Sequence, residues 1–171
     1  SLIDGGANGG MSGDNVHVIE TSFNKADVTG LADHLVVDLP ISTVEGLIET
    51  STGYIIGIFH QYAHYDTGRT IHSTNQLKSF GLEVTDTPCA LKGRQQIHHP
   101  DGYVIPLSIR NGLPYMDMSP PTDNDLEAHP HVFFTSDDTW DPNSLDDEYL
   151  PADVILTDDE QIPTFGWDKL D

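Results

Sequence analysis

Asp4 follows two apolar residues, Leu2 and Ile3, and precedes two glycines and an alanine, Gly5, Gly6 and Ala7. Leu2 and Ile3 have the character of the end of a buried strand, and the glycines free the backbone for a sharp turn. That order delivers a carboxylate at the end of a strand. Such a carboxylate can be half of an acid–base pair. Two carboxylates close together cannot both ionise, so one acts as base toward a water and the other as acid toward a carbonyl. A chain with one such Asp makes the pair by two-fold association. The same residue order also ends a strand with no further role, so the weight falls on what surrounds it.

Other constellations compete. Asp66-Thr67-Gly68 repeats the pattern, but His64 and Tyr65 are not the apolar pair that a buried strand end needs, and Arg69 follows the glycine. It reads as a turn. The nine histidines include His60 and His64, which share a face. In a strand they lie about 13 Å apart, too far to share a ligand. His98-His99 and His129-Pro130-His131 have no cysteine partners and no finger spacing, so no zinc site is expected. Asp137, Thr139, Asp141, Asn143 and Glu148 fall at the ligand offsets of a calcium loop, but Pro142 replaces the required glycine. A solvated acidic turn is the expectation, with calcium as a weak alternative. No dinucleotide or phosphate loop is present and no cofactor is implied.

The elements that would position Asp4 are mostly strands. Segments 15–23 and 34–50 alternate apolar and polar residues, and 53–62 carries a continuous apolar run suited to a central strand. Segments 102–109 and 112–118 flank Asn111-Gly112, a hairpin signal. Only 73–81 reads as helix, with Ser73 at its start and Gly81 at its end. After Met118 the composition turns to Asp, Pro and Ser. There, 122–128 can form a turn or two of helix capped by Thr122 or Asp123, and 131–136 a strand. Beyond it an ordered, extended segment with aromatic anchors, Trp140 first, is expected to dock on its own domain or a neighbour.

The 171 residues suit one domain with a tail. With 28 acidic against 7 basic side chains the formal charge is −21. Nucleic acid and anionic membrane surfaces are therefore disfavoured as partners. Cys89 is the single cysteine, so no internal disulfide forms, and no run is long and apolar enough for a spanning helix. Without an initial Met the chain reads as a piece of something longer. The compartment stays open.

Three motifs in order resemble one family. Asp4-Gly5-Gly6-Ala7 is followed at a matching distance by Met11-Ser12-Gly13. Ser73, Gln76, Leu77, Gly81 and Val84 fall in register with a second motif, and Asp101-Gly102 leads into the strands of a third. Over residues 1–118 the chain resembles the protease region of Ty1/copia-type retrotransposon polyproteins, most of all those of algae. The resemblance implies an all-β, retropepsin-like closed domain with one short helix over 1–118. Residues 119–171 form an acidic, extended tail outside it. It implies that Asp4 is the catalytic carboxylate, that Gly5, Gly6 and Ala7 form the active-site turn, that 42–50 holds a flap with Gly46 near its bend, and that Ile71 packs beneath the turn. Gly5 stands where the family has Ser or Thr, and Gly10 where it has His.

Two functions follow as expectations. One is an aspartic endopeptidase, a homodimer acting on an extended peptide. The other is a non-enzymatic protein on the same fold, without the hydroxyl that Gly5 lacks, which assembles into filaments through its C-terminal tail.

Overall fold

In the computed structural model, which describes residues 1–31, 34–85 and 95–143 and their side chains outside 28–37, the apolar run 55–59 lies at the centre of a sheet. It belongs to β5 (Gly53–His64), where Ile55 to Phe59 are buried without interruption. A strand buried on both faces has no polar side to alternate with. Its neighbour β4 (His34–Thr50) pairs with it antiparallel from Thr50↔Gly53 to Ile41↔Ala63. On the other side of β4 runs β3 (His17–Leu31), and the two form a long hairpin. Register shifts interrupt that pairing at several points, which is how Asn, Lys, Asp and Gly enter a strand that propensity alone ends near Phe23. Phe23 points wholly into solvent.

Asp4 lies on β1 (Leu2–Asp4), deep in the same sheet. It is flanked by β6 (Ile71–Ser73), parallel, and β11 (Leu113–Tyr115), antiparallel. The strand β2 (Met11–Ser12) separates β6 from β5. Next to β11 stands β10 (Ser108–Arg110), joined to it through Asn111 and Gly112, both at positive φ (52° and 78°). That is the two-residue turn expected from Asn-Gly. Short strands β7 (Glu83–Thr85), β8 (Gln96–His98) and β9 (Val104–Pro106) form a second sheet. The core between elements gathers Ile3, Phe59, Tyr62, Leu77, Met116 and Phe134.

Helix α1 (Thr74–Ser79) starts where the residues say it should. Ser73 caps it by accepting the Gln76 N–H at 3.2 Å. It ends with Leu82 N–H bonded to Leu77 O and Gly81 N–H to Lys78 O, with Gly81 at φ 100°. This left-handed closure is the reason a glycine stands there.

There are two short helices: α1, and α2 (Asp123–Ala128), which falls in the segment read as a turn or two of helix and is capped reciprocally by Thr122 and Asp125. The segment after Met118 returns to the large sheet. Met118–Ser119 (β12) pairs with β4, and His131–Phe133 (β13) pairs parallel with β5. Burial of Val132 and Phe134 in the shared core holds it there. The structure corrects the architecture at one point, the closure of the sheet. Among the described residues the pairing path of the large sheet is open, running from β10 to β12, because β10 and β12 offer three and two residues and meet no further strand. The mostly β character itself agrees with the alternation in the sequence. Residues 144–171, with Glu148 and the later aromatic anchors, lie outside the described residues, as does Cys89.

Candidate functional site

Asp4 ends β1 beside Ser73, its Cα partner at the end of β6. The chain then turns through six residues rich in glycine. Its own side chain begins the turn, since Asp4 Oδ1 accepts Gly6 N–H at 2.8 Å. Ser73 Oγ donates to Ala7 O at 2.9 Å while it caps α1. Gln76 Oε1 accepts Gly10 N–H at 2.7 Å in a buried site. The start of α1 therefore holds the Asp4 turn from below. Ser73 and Gln76 lie in the 73–81 segment read from the sequence as helix, but only the three-dimensional pairing assigns them this work. Both are positioning residues. The carboxylate itself is half-buried and opens to the exposed turn of Gly5 and Gly6.

Gln76 is held in turn. Its Nε2 donates to His60 O and Gln61 O, at 3.3 and 3.1 Å. Both carbonyls are available because β5 bulges there. Tyr62 pairs with Ser42 and Phe59 with Val44, so His60 and Gln61 together oppose Thr43 alone. Gln61 adopts φ 62°, a left-handed conformation that a non-glycine residue takes only when its surroundings require it.

Beneath the turn lies a buried aromatic and polar cluster. His72 is fully buried, with Phe59 at 4.9 Å and Tyr62 at 5.7 Å between ring centroids. Ser1 Oγ donates to Met116 O at 2.8 Å, so it accepts from His72 Nε2 at 3.0 Å. That leaves Nδ1 to accept the Tyr62 hydroxyl at 2.7 Å, and the ring is neutral with its proton on Nε2. Burial, helped by the nearby Ser1 amino group, lowers the His72 pKa from 6.5 to about 3. Burial also raises the Tyr62 phenol well above its ordinary value.

The same Tyr62 explains Gly10. A Cβ added at Gly10 would lie 2.2 Å from Tyr62 Cζ, and the ring is fixed by burial and by His72. Gly10→Ala is therefore expected to destabilise the fold by about 2–4 kcal/mol. Urea unfolding checks this, with a lower midpoint and an unchanged slope. Gly5 differs: nothing lies within 4 Å of an added Cβ, so the space for a hydroxyl side chain is open.

The other residues singled out from sequence fall as follows. Ile71 stands level with Leu2, two residues before Asp4, and packs toward Met11, Leu39 and Ala63. Gly46 lies not at a bend but inside β4, opposite Gly57, where an added Cβ would be 2.4 Å from Met118. Unbroken pairing with β5 from Val44 to Thr50 leaves no bend there. Asp66 is almost fully exposed in the connection from β5 to β6, two residues beyond the end of β5. His60 and His64 lie on strand β5, as read from the sequence; His60 Nδ1 bonds Thr43 Oγ1 at 3.0 Å and His64 Nδ1 bonds Ser12 Oγ at 2.8 Å. Asn143 N–H donates to Asp141 Oδ1 at 2.9 Å and Asp137 O accepts from Gln61 Nε2 at 3.4 Å. Among the described residues no three His, Cys, Asp or Glu side chains gather as a metal site.

Comparison of the chain with family models, with curated proteins and with solved structures finds no match in any of the three. The class stands on the geometry alone: a mostly β domain that presents one carboxylate from a sheet strand, in a glycine-rich turn held by a short helix.

Proposed function

We propose that this chain is one half of a retropepsin-type aspartic endopeptidase, with Asp4 supplying one of two carboxylates that meet in a homodimer. The observation that carries the reading is the placement of Asp4. It ends a central strand, between a parallel and an antiparallel neighbour, in a turn fixed by hydrogen bonds to Gly6, Ala7 and Gly10. A carboxylate at such a place is aimed rather than loose, and preorganisation of this kind is what acid–base catalysis needs. In the dimer the two Asp4 groups share one proton. The ionised one takes a proton from water as it attacks the scissile carbonyl, and the protonated one donates to the carbonyl oxygen. The β3–β4 hairpin is the element long enough to close over an extended peptide.

The test is the rate of peptide cleavage per protomer against protein concentration. It is expected to rise as dimers form and to be inhibited by a statine-containing peptide. A constant rate per protomer across the range where the dimer dissociates overturns the shared site. A second reading has one observation in its favour. Gly5 carries no hydroxyl to tie two turns together, and the space beside it is open. On that reading the chain is a non-enzymatic relative that self-assembles through its C-terminal segment, and no concentration gives cleavage.

A further inference from the structure

The Asp4 turn is also held from above. Trp140 Nε1 donates to Asn8 O at 2.7 Å, across 132 residues of chain. Its ring lies on Gly9, where an added Cβ would be 3.2 Å from both Cδ1 and Nε1 of the indole. A side chain at Gly9 would press on the indole and require it to shift by a few tenths of an ångström. The segment bearing Trp140 is itself pinned to the β5 bulge. Gln61 Oε1 accepts Trp140 N–H at 3.3 Å, and Gln61 Nε2 donates to Asp137 O at 3.4 Å.

Gln61 is thus the point where two clamps meet. Its carbonyl holds Gln76, which holds Gly10. Its side chain holds Asp137 and Trp140, and Trp140 holds Asn8. The left-handed φ of Gln61 turns the carbonyl and the side chain to these separate tasks. A turn with four glycines among residues 5–10 has little stiffness of its own, so its shape depends on such partners.

We infer that Trp140 and Gln61 are positioning residues for Asp4, and that the start of the acidic segment is a strap on the active-site turn. This rests on the peptidase reading for its catalytic consequence but not for its structural one. The strap orders Asn8 and Gly9, and through them the aim of the carboxylate four residues earlier.

Trp140→Phe in the full chain keeps an aromatic ring on Gly9 and deletes the donor to Asn8. Gln61→Gly keeps the left-handed backbone and the carbonyl for Gln76 and deletes the side-chain clamp. Amide hydrogen exchange is measured at Gly10, and at Ile56 and Phe134, whose N–H groups bond Pro130 O and Ile58 O in the β5–β13 region. In both variants exchange at Gly10 is expected to speed up about tenfold while Ile56 and Phe134 keep their protection. Peptide cleavage is expected to lose about tenfold or more in kcat with KM within twofold. Unchanged exchange at Gly10, or loss of protection at all three amides alike, overturns the strap. If the parent protein cleaves nothing while Gly10 loosens in the variants, the strap stands and the peptidase reading falls.

Discussion

On the proposed peptidase reading, replacing Asp4 with Asn is expected to leave the protein folded and to remove peptide cleavage. The amide oxygen of Asn can still accept the Gly6 N–H, the volume is almost unchanged, and the side chain is only half-buried. Stability is therefore expected to stay within about 0.5 kcal/mol of the parent. Chemistry is different, because an amide can neither take a proton from water nor pass one on. Loss of a general base alone costs on the order of 10²–10⁴ in rate, and here the substitution removes both members of the pair. The expected fall is at least about 10³-fold, read from initial rates on an extended peptide beside a urea midpoint for the same sample. Mixing adds a second reading of the same variant. If the site is shared, random exchange with an equal amount of Asp4→Asn protein leaves about one dimer in four with two carboxylates. The parent's activity then drops about twofold without any change in its amount. An unaffected parent, or a variant within tenfold of it, places the chemistry elsewhere.

Much of this site is written in local residue order. Ser73 and Gly81 mark the ends of α1 because capping and left-handed closure need those residue types within a few positions. Asn111-Gly112 marks its hairpin for the same reason. The uninterrupted run at 55–59 marks a strand with no exposed face. Asp4 followed by glycines is legible as a carboxylate at a turn. What holds that turn is not legible, because it comes from long-range pairing. Gln61 reads as an ordinary polar strand residue until the register of β4 against β5 shows two residues opposite one. Trp140 reads as an anchor without a mooring until the chain returns beside Asn8. The family resemblance implies a bend near Gly46, whereas its glycine serves close packing under Met118. The β3–β4 arm exceeds the reach of its alternation because pairing with β4 carries residues that would not form a strand alone. The second carboxylate belongs to another copy of the chain on the proposed reading, and no intrachain pattern can position it.

Acid is expected to unfold this protein through His72, and the sign follows from where the proton binds. In the unfolded chain His72 takes a proton near pH 6.5, whereas in the folded protein burial delays that to about 3. Between these values the unfolded state holds more protons, so stability rises with pH across the window and is lost as pH falls from about 6.5 to about 3. The full interval corresponds to on the order of 5 kcal/mol, a large share of the stability of a small domain. Other acidic groups titrate in the lower part of that range, so the informative quantity is a difference. His72→Gln keeps an uncharged polar group among Tyr62 and Ser1 and cannot take the proton. It is expected to start less stable at pH 7.5 and to lose much less than the parent between pH 7 and 4.5, as read from urea midpoints at each pH. Parallel pH profiles for the two proteins would remove His72 from the account. On the proposed peptidase reading, the consequence for catalysis is a conflict inside one small region. A carboxylate pair that must hold one shared proton favours acid, while the imidazole buried on the strand next to Asp4 resists it. The acid limb of a cleavage profile is then expected to coincide with loss of folded protein, and His72→Gln to move that limb to lower pH.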